Sequence, residues 1–163
     1  MDEPLVRPMS AVEFAPFRAN VIREYADQKV EAGEWPEAGA VEMATQETDV
    51  LLPQGQDTPG MVMLTAEAPD GTVAGQVWVA VRPGASPPEA WIYAIEVKPE
   101  HRGRGYSRAL LAAAERAAAD HGAVAIGLNV FGPNAVARRL YETSGYEITA
   151  LQMRKPLPAD RRS

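Results

Sequence analysis

The stretch WIYAIEVKPEHRGRGYS, residues 91–107, decides how the rest of the chain is read. It begins as an apolar, β-rich run over 91–97 and breaks at Lys98-Pro99. It then turns through Glu100-His101-Arg102 into a Gly- and Arg-rich step, and an alanine-rich helical segment follows at once. A strand, a turn rich in free backbone N–H groups and a helix N-terminus together make an anion site without committing side chains. Arg102, Arg104 and Arg108 gather there in a chain whose formal net charge is -6. The loop is neither of two common nucleotide fingerprints. It lacks the Gly-Lys-Ser/Thr ending of a P-loop. Arg108 also occupies the third glycine position of a dinucleotide-binding turn. On the residues alone two readings stay open: a phosphate cradle, and a tight turn with exposed arginines.

Downstream, the spacing predicts a helix from about 105 to 121, with Gly122 placed to stop it in a left-handed conformation. Residues 123–130 are largely apolar, as expected of a buried strand parallel to its predecessor across a helical crossover. A short helix over 135–144 ends at Gly145, and residues 146–148 and 150–154 read as a last, interrupted strand region. Upstream, strands over 61–66 and 73–81 flank the turn Pro69-Asp70-Gly71-Thr72, which makes a hairpin. Residues 51–60 and 82–88 are loops by composition. A first strand over 5–8 precedes a capping box, Ser10 with Glu13, and a helix to about 32 whose start Pro16 disturbs. A second helix is expected from Trp35-Pro36-Glu37 to about Asp49.

With 163 residues and 46% hydrophobic content, the chain is sized for one domain over 1–163, core about 5–155 and tail 156–163. The negative balance argues against a nucleic-acid partner, which needs positive potential to displace counterions. The chain has no cysteine, so thiolate metal sites and thiol nucleophiles are excluded. His101 and His121 form no ligand cluster with other residues, so no metal is expected; His101 is expected to be exposed. Trp35 and Trp78 read as packing residues. The first residues lack a basic segment followed by an apolar one, and no run reaches membrane-spanning length, so no membrane partner is expected and the cytoplasm is the default.

Residues 97–107, VKPEHRGRGYS, resemble the acetyl-coenzyme A loop of the GNAT superfamily of N-acetyltransferases. The pattern Arg/Gln-x-x-Gly-x-Gly/Ala is met by Arg102, Gly105 and Ser107, the serine departing from the usual residue while staying small. Residues 134–146, NAVARRLYETSGY, are similar to the family's second signature, Asn-x-x-Ala-x-x-x-Tyr-x-x-x-Gly-Phe/Tyr. The resemblance implies an α/β fold: a mixed, mainly antiparallel sheet of about six to seven strands flanked by helices. A splayed parallel pair, the strands over 89–97 and 123–130, would form the acetyl-coenzyme A cleft. It implies backbone bonds from Ile95 and Val97 to the pantetheine arm, the Val97 N–H polarising the thioester carbonyl. It also implies a pyrophosphate held by the N–H groups of Arg102, Gly103, Arg104, Gly105, Tyr106 and Ser107, and a further contact from Asn134.

Tyr141 stands where the family carries a tyrosine able to protonate the departing thiolate; a core tyrosine packed on the sheet is the structural alternative. The base is less direct. An alkylamine is mostly protonated at neutral pH and must lose a proton before it attacks. Where some members carry a glutamate this chain has Asn129, which cannot act as a base, and Tyr93 and Ala94 offer no carboxylate. Glu96 remains, on the face opposite Ile95 and Val97 by strand alternation, as a direct or water-mediated base or as a partner for a nearby arginine. The expected activity is acetyl transfer from acetyl-coenzyme A to a primary amine by direct attack. A small cationic amine comes first as acceptor and a protein amine second, with a homodimer allowed. The alternative is an acyl-coenzyme A sensor without catalysis.

Overall fold

The computed structural model describes residues 3–82 and 86–159. Its sheet contains β1 (Leu5–Pro8), β2 (Met61–Glu67), β3 (Val73–Val81), β4 (Ala90–Val97) and β5 (Ile126–Leu128), side by side in chain order. The first four run antiparallel and β5 runs parallel to β4. The Pro69–Thr72 turn joins β2 to β3 as the composition predicts, with the Thr72 N–H donating to the Asp70 carboxylate at 3.0 Å.

The helices are α1 (Ala11–Glu31), α2 (Ala40–Leu51), α3 (Tyr106–Asp120) and α4 (Ala135–Thr143). α3 carries the chain from β4 to β5, and a parallel pair needs such a crossover. Its buried residues Leu110, Leu111, Ala114 and Ala118 join Val77, Val79 and Ile92 of the sheet on one face. Alanine is the best helix former and its short side chain lets the helix axis approach the sheet. α1 covers the opposite face, where Phe17 and Val21 meet Met63 and Trp78. α2 packs on α1 through Ala40 and Ala44 against Ile22 and Ala26.

Several boundaries differ from the sequence reading for local reasons. α1 is continuous through Pro16. The carbonyl that loses its donor there belongs to Val12, which is 86% exposed, so water can replace the bond. The capping box at its start is formed in full: the Glu13 N–H donates to Ser10 Oγ and the Ser10 N–H donates to the Glu13 carboxylate. α2 starts at Ala40 rather than at Trp35, because Gly39 ahead of it sits at φ 82°, outside the helical region.

The expected six to seven strands are five among the described residues. β5 spans three residues of the expected 123–130, and residues 146–148 and 150–154 form no strand. A strand needs a partner edge, and three residues of β5 offer little of one. Ile148, Leu151 and Met153 accordingly face solvent, at 58%, 75% and 89% exposure. Residues 83–85 of the expected loop over 82–88 and residues 160–163 of the expected tail lie outside the described residues, as do the first two of the chain.

Candidate active site

A β-bulge in β4 sets the geometry. Trp78 of β3 opposes Ala94 while Val79 opposes Ile92, so Tyr93 is the extra residue. Tyr93 and Ala94 therefore both turn toward the α1 side, and Ile92, Ile95 and Val97 all face the α3 side. Uninterrupted alternation from Ile92 would have put Glu96 on the α3 side. The bulge reverses the parity and sends Glu96 toward α1.

β4 also loses a neighbour halfway along. Its pairing with β5 covers only Ala90, Trp91 and Ile92, opposite Ile126, Gly127 and Leu128. From Tyr93 onward its β5-facing edge has no strand beside it among the described residues, which is the expected splay. The Lys98 N–H donates to the Ala74 carbonyl at 2.8 Å on the β3 side. Hydrogen-bonded and non-hydrogen-bonded pairs alternate along an antiparallel ladder. Val97 opposite Gly75 and Ile95 opposite Val77 thus fall in the non-hydrogen-bonded class, with their N–H and C=O groups turned away from β3 and toward the splay. Gly75 makes this spacing workable: a Cβ there would meet the Glu96 carbonyl oxygen at 2.6 Å and Leu110 at 2.9 Å.

Past Val97, a 3-10 turn over Pro99–His101 leads to the glycine loop. The Arg102 Nε donates to the Val97 carbonyl at 3.3 Å and pins the loop to the strand end. Gly105 precedes α3 at φ 86°, which favours glycine, and no side chain caps the helix. No acidic residue lies in the first turn of α3. Among the described residues the N–H groups of 103–108 make no backbone bond, and the first from this region is Ala109 to the Gly105 carbonyl. They border a cavity of about 180 Å³ lined by Val97, His101, Gly103, Gly105, Tyr106, Ser107, Arg108 and Leu140. Free N–H groups at a helix start without a competing carboxylate suit an anion.

The side chains divide differently from the expectation. Arg104 is exposed, whereas Arg108 reaches to Ser144 Oγ at 3.3 Å and Thr143 Oγ1 at 3.0 Å, tying α3 to the end of α4. Tyr106 is buried and sets its ring edge-on to His101 at 5.7 Å. His101, expected to be exposed, is partly buried, and its Nδ1 is buried without a hydrogen-bond partner among the described residues.

Tyr141 projects from α4 into the α3-side core, 8% exposed, with the Tyr146 ring 5.7 Å away. Burial pushes its phenol up to about 12, so it stays protonated at neutral pH. Asn134 caps α4, its side-chain oxygen accepting from the Ala137 N–H at 3.1 Å. That use leaves its amide N–H groups as the donors it can offer a ligand.

Among the described residues no arginine bonds the Glu96 carboxylate. Asn20 of α1 donates from Nδ2 to Glu96 Oε2 at 2.5 Å. Burial raises the carboxyl above its ordinary range, helped by the charge of Glu24, while the Asn20 bond, Lys98 and Arg23 act in the opposite sense. Asn20 and Glu24 escaped the sequence reading because nothing in the chain signals which stretch of a 21-residue helix crosses β4. Asn129 is exposed on the far side of the splay. At the end of α1, Lys29 pairs with Glu34 and stands over the Tyr25, Trp35 and Phe131 rings at 5.6, 5.6 and 5.8 Å, linking the helix end to the segment after β5.

The model of the acetyltransferase (GNAT) family matches residues 23–146. The uncharacterized N-acetyltransferase YycN of Bacillus subtilis is 33% identical over 153 residues, covering 94% of this chain and 98% of that protein. The crystal structure of YycN shares the fold at a TM-score of 0.89 and 32% identity, over 96% of this chain and 99% of that one. The mycothiol acetyltransferase of Kocuria rhizophila is 34% identical over 117 residues, which is 69% of this chain and 37% of that longer protein. AAC(6')-Iy, solved with a coenzyme A bisubstrate analog, has the same fold at a TM-score of 0.65 and 18% identity, covering 96% of this chain and 99% of that one. The chain belongs to the GNAT family of acetyltransferases.

Proposed function

We propose that the chain transfers an acetyl group from acetyl-coenzyme A to a primary amine by direct attack, with no acetylated side chain in between. One observation carries the reading: at the splay, β4 turns the N–H and C=O of Ile95 and the N–H of Val97 outward along one edge and a half-buried carboxylate, Glu96, toward α1. Donor and acceptor can then meet at one strand from different sides.

When bound, acetyl-coenzyme A supplies the activated thioester. Ile95 and Val97 bond its arm through the backbone, and the Val97 N–H donates to the thioester oxygen as negative charge develops there. The N–H groups of Gly103, Arg104, Gly105, Tyr106 and Ser107 hold the pyrophosphate at the start of α3, while that of Arg102, expected to join them, donates to the Pro99 carbonyl at 3.4 Å. Asn134 contributes an amide N–H from the other side. Glu96 takes the ammonium proton, directly or through a water, so that the nitrogen lone pair can form the new C–N bond. Tyr141 gives its proton to sulfur as the C–S bond breaks, the new C–N nitrogen loses its second proton to solvent as the amide forms, and the phenol recovers a proton from solvent.

The net charge of -6 favours a small cationic amine as acceptor, ahead of a protein amine. A homodimer is the proposed assembly; it would cover Ile148, Leu151, Met153 and Leu157, which a single chain leaves exposed. The cytoplasm is the proposed compartment; among the described residues no helix is long and apolar enough to cross a membrane.

The test is release of free thiol from acetyl-coenzyme A mixed with putrescine, an aminoglycoside, a lysine peptide and a peptide with a free N-terminus. Turnover on at least one amine is expected. Glu96→Gln should lower the rate near neutral pH and lose less at high pH, where free amine is plentiful. An unchanged pH profile would remove Glu96 as base. Coenzyme A binding without turnover on any of these amines would overturn the enzyme reading in favour of an acyl-coenzyme A-binding domain.

A further inference from the structure

Four polar side chains oppose one another across the sheet on the face beneath α1. Arg7 of β1 pairs with Thr65 of β2, Thr65 with Gln76 of β3, and Gln76 with Glu96 of β4. Thr65 and Gln76 are buried, and Gln76 Nε2 donates to Thr65 Oγ1 at 3.3 Å. At the β1 end of this row α1 sets down Glu13, which accepts from Arg7 at 2.9 and 3.0 Å and from Thr65 Oγ1 at 3.4 Å. Glu67 holds the same arginine through Nε at 2.7 Å. At the β4 end α1 sets down Asn20 on Glu96.

The two anchor points match because two periods match. Glu13 and Asn20 are seven residues apart, which keeps them on one helix face and separates them by roughly 10.5 Å along the axis. Thr65 and Glu96 lie two strands apart, which is roughly 9.6 Å of sheet. α1 therefore runs along the polar row, and fixing Glu13 on Arg7 delivers Asn20 to Glu96.

The orientation of the Asn20 amide is determined by its surroundings. Its oxygen accepts from Arg23 Nη2 at 3.0 Å, while its nitrogen donates to Glu96 Oε2 and, at 3.4 Å, to Glu24 Oε1. A flipped amide would put its oxygen against two carboxylates and its N–H groups against a guanidinium. Asn20 engages only one Glu96 oxygen, and Oε1 has no hydrogen-bond partner among the described residues.

We propose that Asn20 is a positioning residue for acetyl transfer: it holds Glu96 by Oε2 in its ionised form, with Oε1 free to accept the proton of the acceptor amine. The inference rests on the reading of Glu96 as base. The groups that bear on Glu96 are Glu24 and Arg23 of α1, Lys98 beyond the end of β4, and the neutral Gln76 opposite it on β3. Burial and Glu24 favour the protonated carboxyl, and the Asn20 bond counters them. Without that bond Glu96 would hold its proton to a higher pH.

The test is a ¹³C-carboxyl NMR titration of the full chain, the Glu96 signal identified by its loss in Glu96→Gln. Asn20→Leu keeps the size of the side chain without the donor and should raise the Glu96 midpoint by about one pH unit. Asn20→Asp adds a like charge and should raise it by about two units or more. Asn20→Gln, which restores an amide donor, should fall between wild type and Asn20→Leu. If Asn20→Leu does not fold, the Asp and Gln variants carry the same ordering. A midpoint unmoved in folded Asn20→Leu, or the same in the Asp and Gln variants, overturns the inference and leaves the base reading standing. The base reading falls separately if Glu96→Gln leaves the pH dependence of thiol release unchanged.

Discussion

On the α3 side of the sheet the candidate site is built from main chain and small side chains: Ile95 and Val97 offer backbone groups, the glycine loop offers N–H groups, and alanines bring α3 close. On the α1 side it is built from side chains: Glu96, Asn20 and Glu24, aligned by a polar row that reaches back to Arg7. A backbone site tolerates many side-chain changes but not a displaced backbone. A side-chain site depends on which functional group stands at each position. The donor is a constant molecule across a family and can be met by backbone geometry, whereas a particular acceptor has to be met by particular side chains.

Tyr141 is the exception on the α3 side, where the proposed chemistry calls on a functional group. Tyr141→Phe keeps the ring in its core position and removes the proton donor. It should lower kcat by about 10²-fold or more in the thiol-release assay, with coenzyme A affinity retained. Equal losses in kcat and in coenzyme A affinity would mean that the residue only packs, and the contrast between the faces would sharpen.

Gly75→Ala tests the backbone side itself. The new Cβ collides with the Glu96 carbonyl oxygen at 2.6 Å, with Leu110 at 2.9 Å and with Val97 Cγ2 at 3.1 Å, so β4 or α3 must shift. A destabilisation of about 1–3 kcal/mol in thermal or urea unfolding is expected, together with weaker coenzyme A binding. A variant as stable as wild type would show that the β3–β4 spacing is not the constraint.

Glu13→Gln probes the far end of the polar row and should have the smallest effect. Arg7 holds the Glu13 carboxyl at about 2, below its ordinary value of 4.5. A carboxyl depressed in the folded state contributes stability above its unfolded pKa, and that contribution is lost as pH falls from about 4.5 toward 2. The Gln variant should therefore unfold at lower urea at neutral pH and show a flatter stability profile between about pH 5 and 2. A parallel profile would mean that the Arg7–Glu13 pair does not fasten α1.

Periodicity and punctuation made much of this legible. The Ser10–Glu13 capping box, the Pro69–Thr72 turn and the stop at Gly122 are local signals with local causes, and each element they bound is present. The glycine loop before α3 is legible in the same way, because a helix start needs few residues to specify its free N–H groups. Residues 146–148 and 150–154 carry strand-forming residues and still form no strand, because a strand depends on a partner edge that no local pattern encodes. Trp35-Pro36-Glu37 satisfies the preference for a first turn, yet α2 starts later because Gly39 takes a left-handed conformation ahead of it.

By itself the sequence determined that residues 91–107 run from strand through glycine loop to helix, because local propensity and backbone chemistry suffice for that. It also determined that Glu96 is the carboxylate next to Val97. What Glu96 faces was decided only by the tertiary structure. The Tyr93 bulge reverses the side-chain parity of β4, and α1 arrives over the strand by a seven-residue step matched to two strand spacings. Both depend on how β3 and α1 pack against β4, which are contacts between residues far apart in the chain.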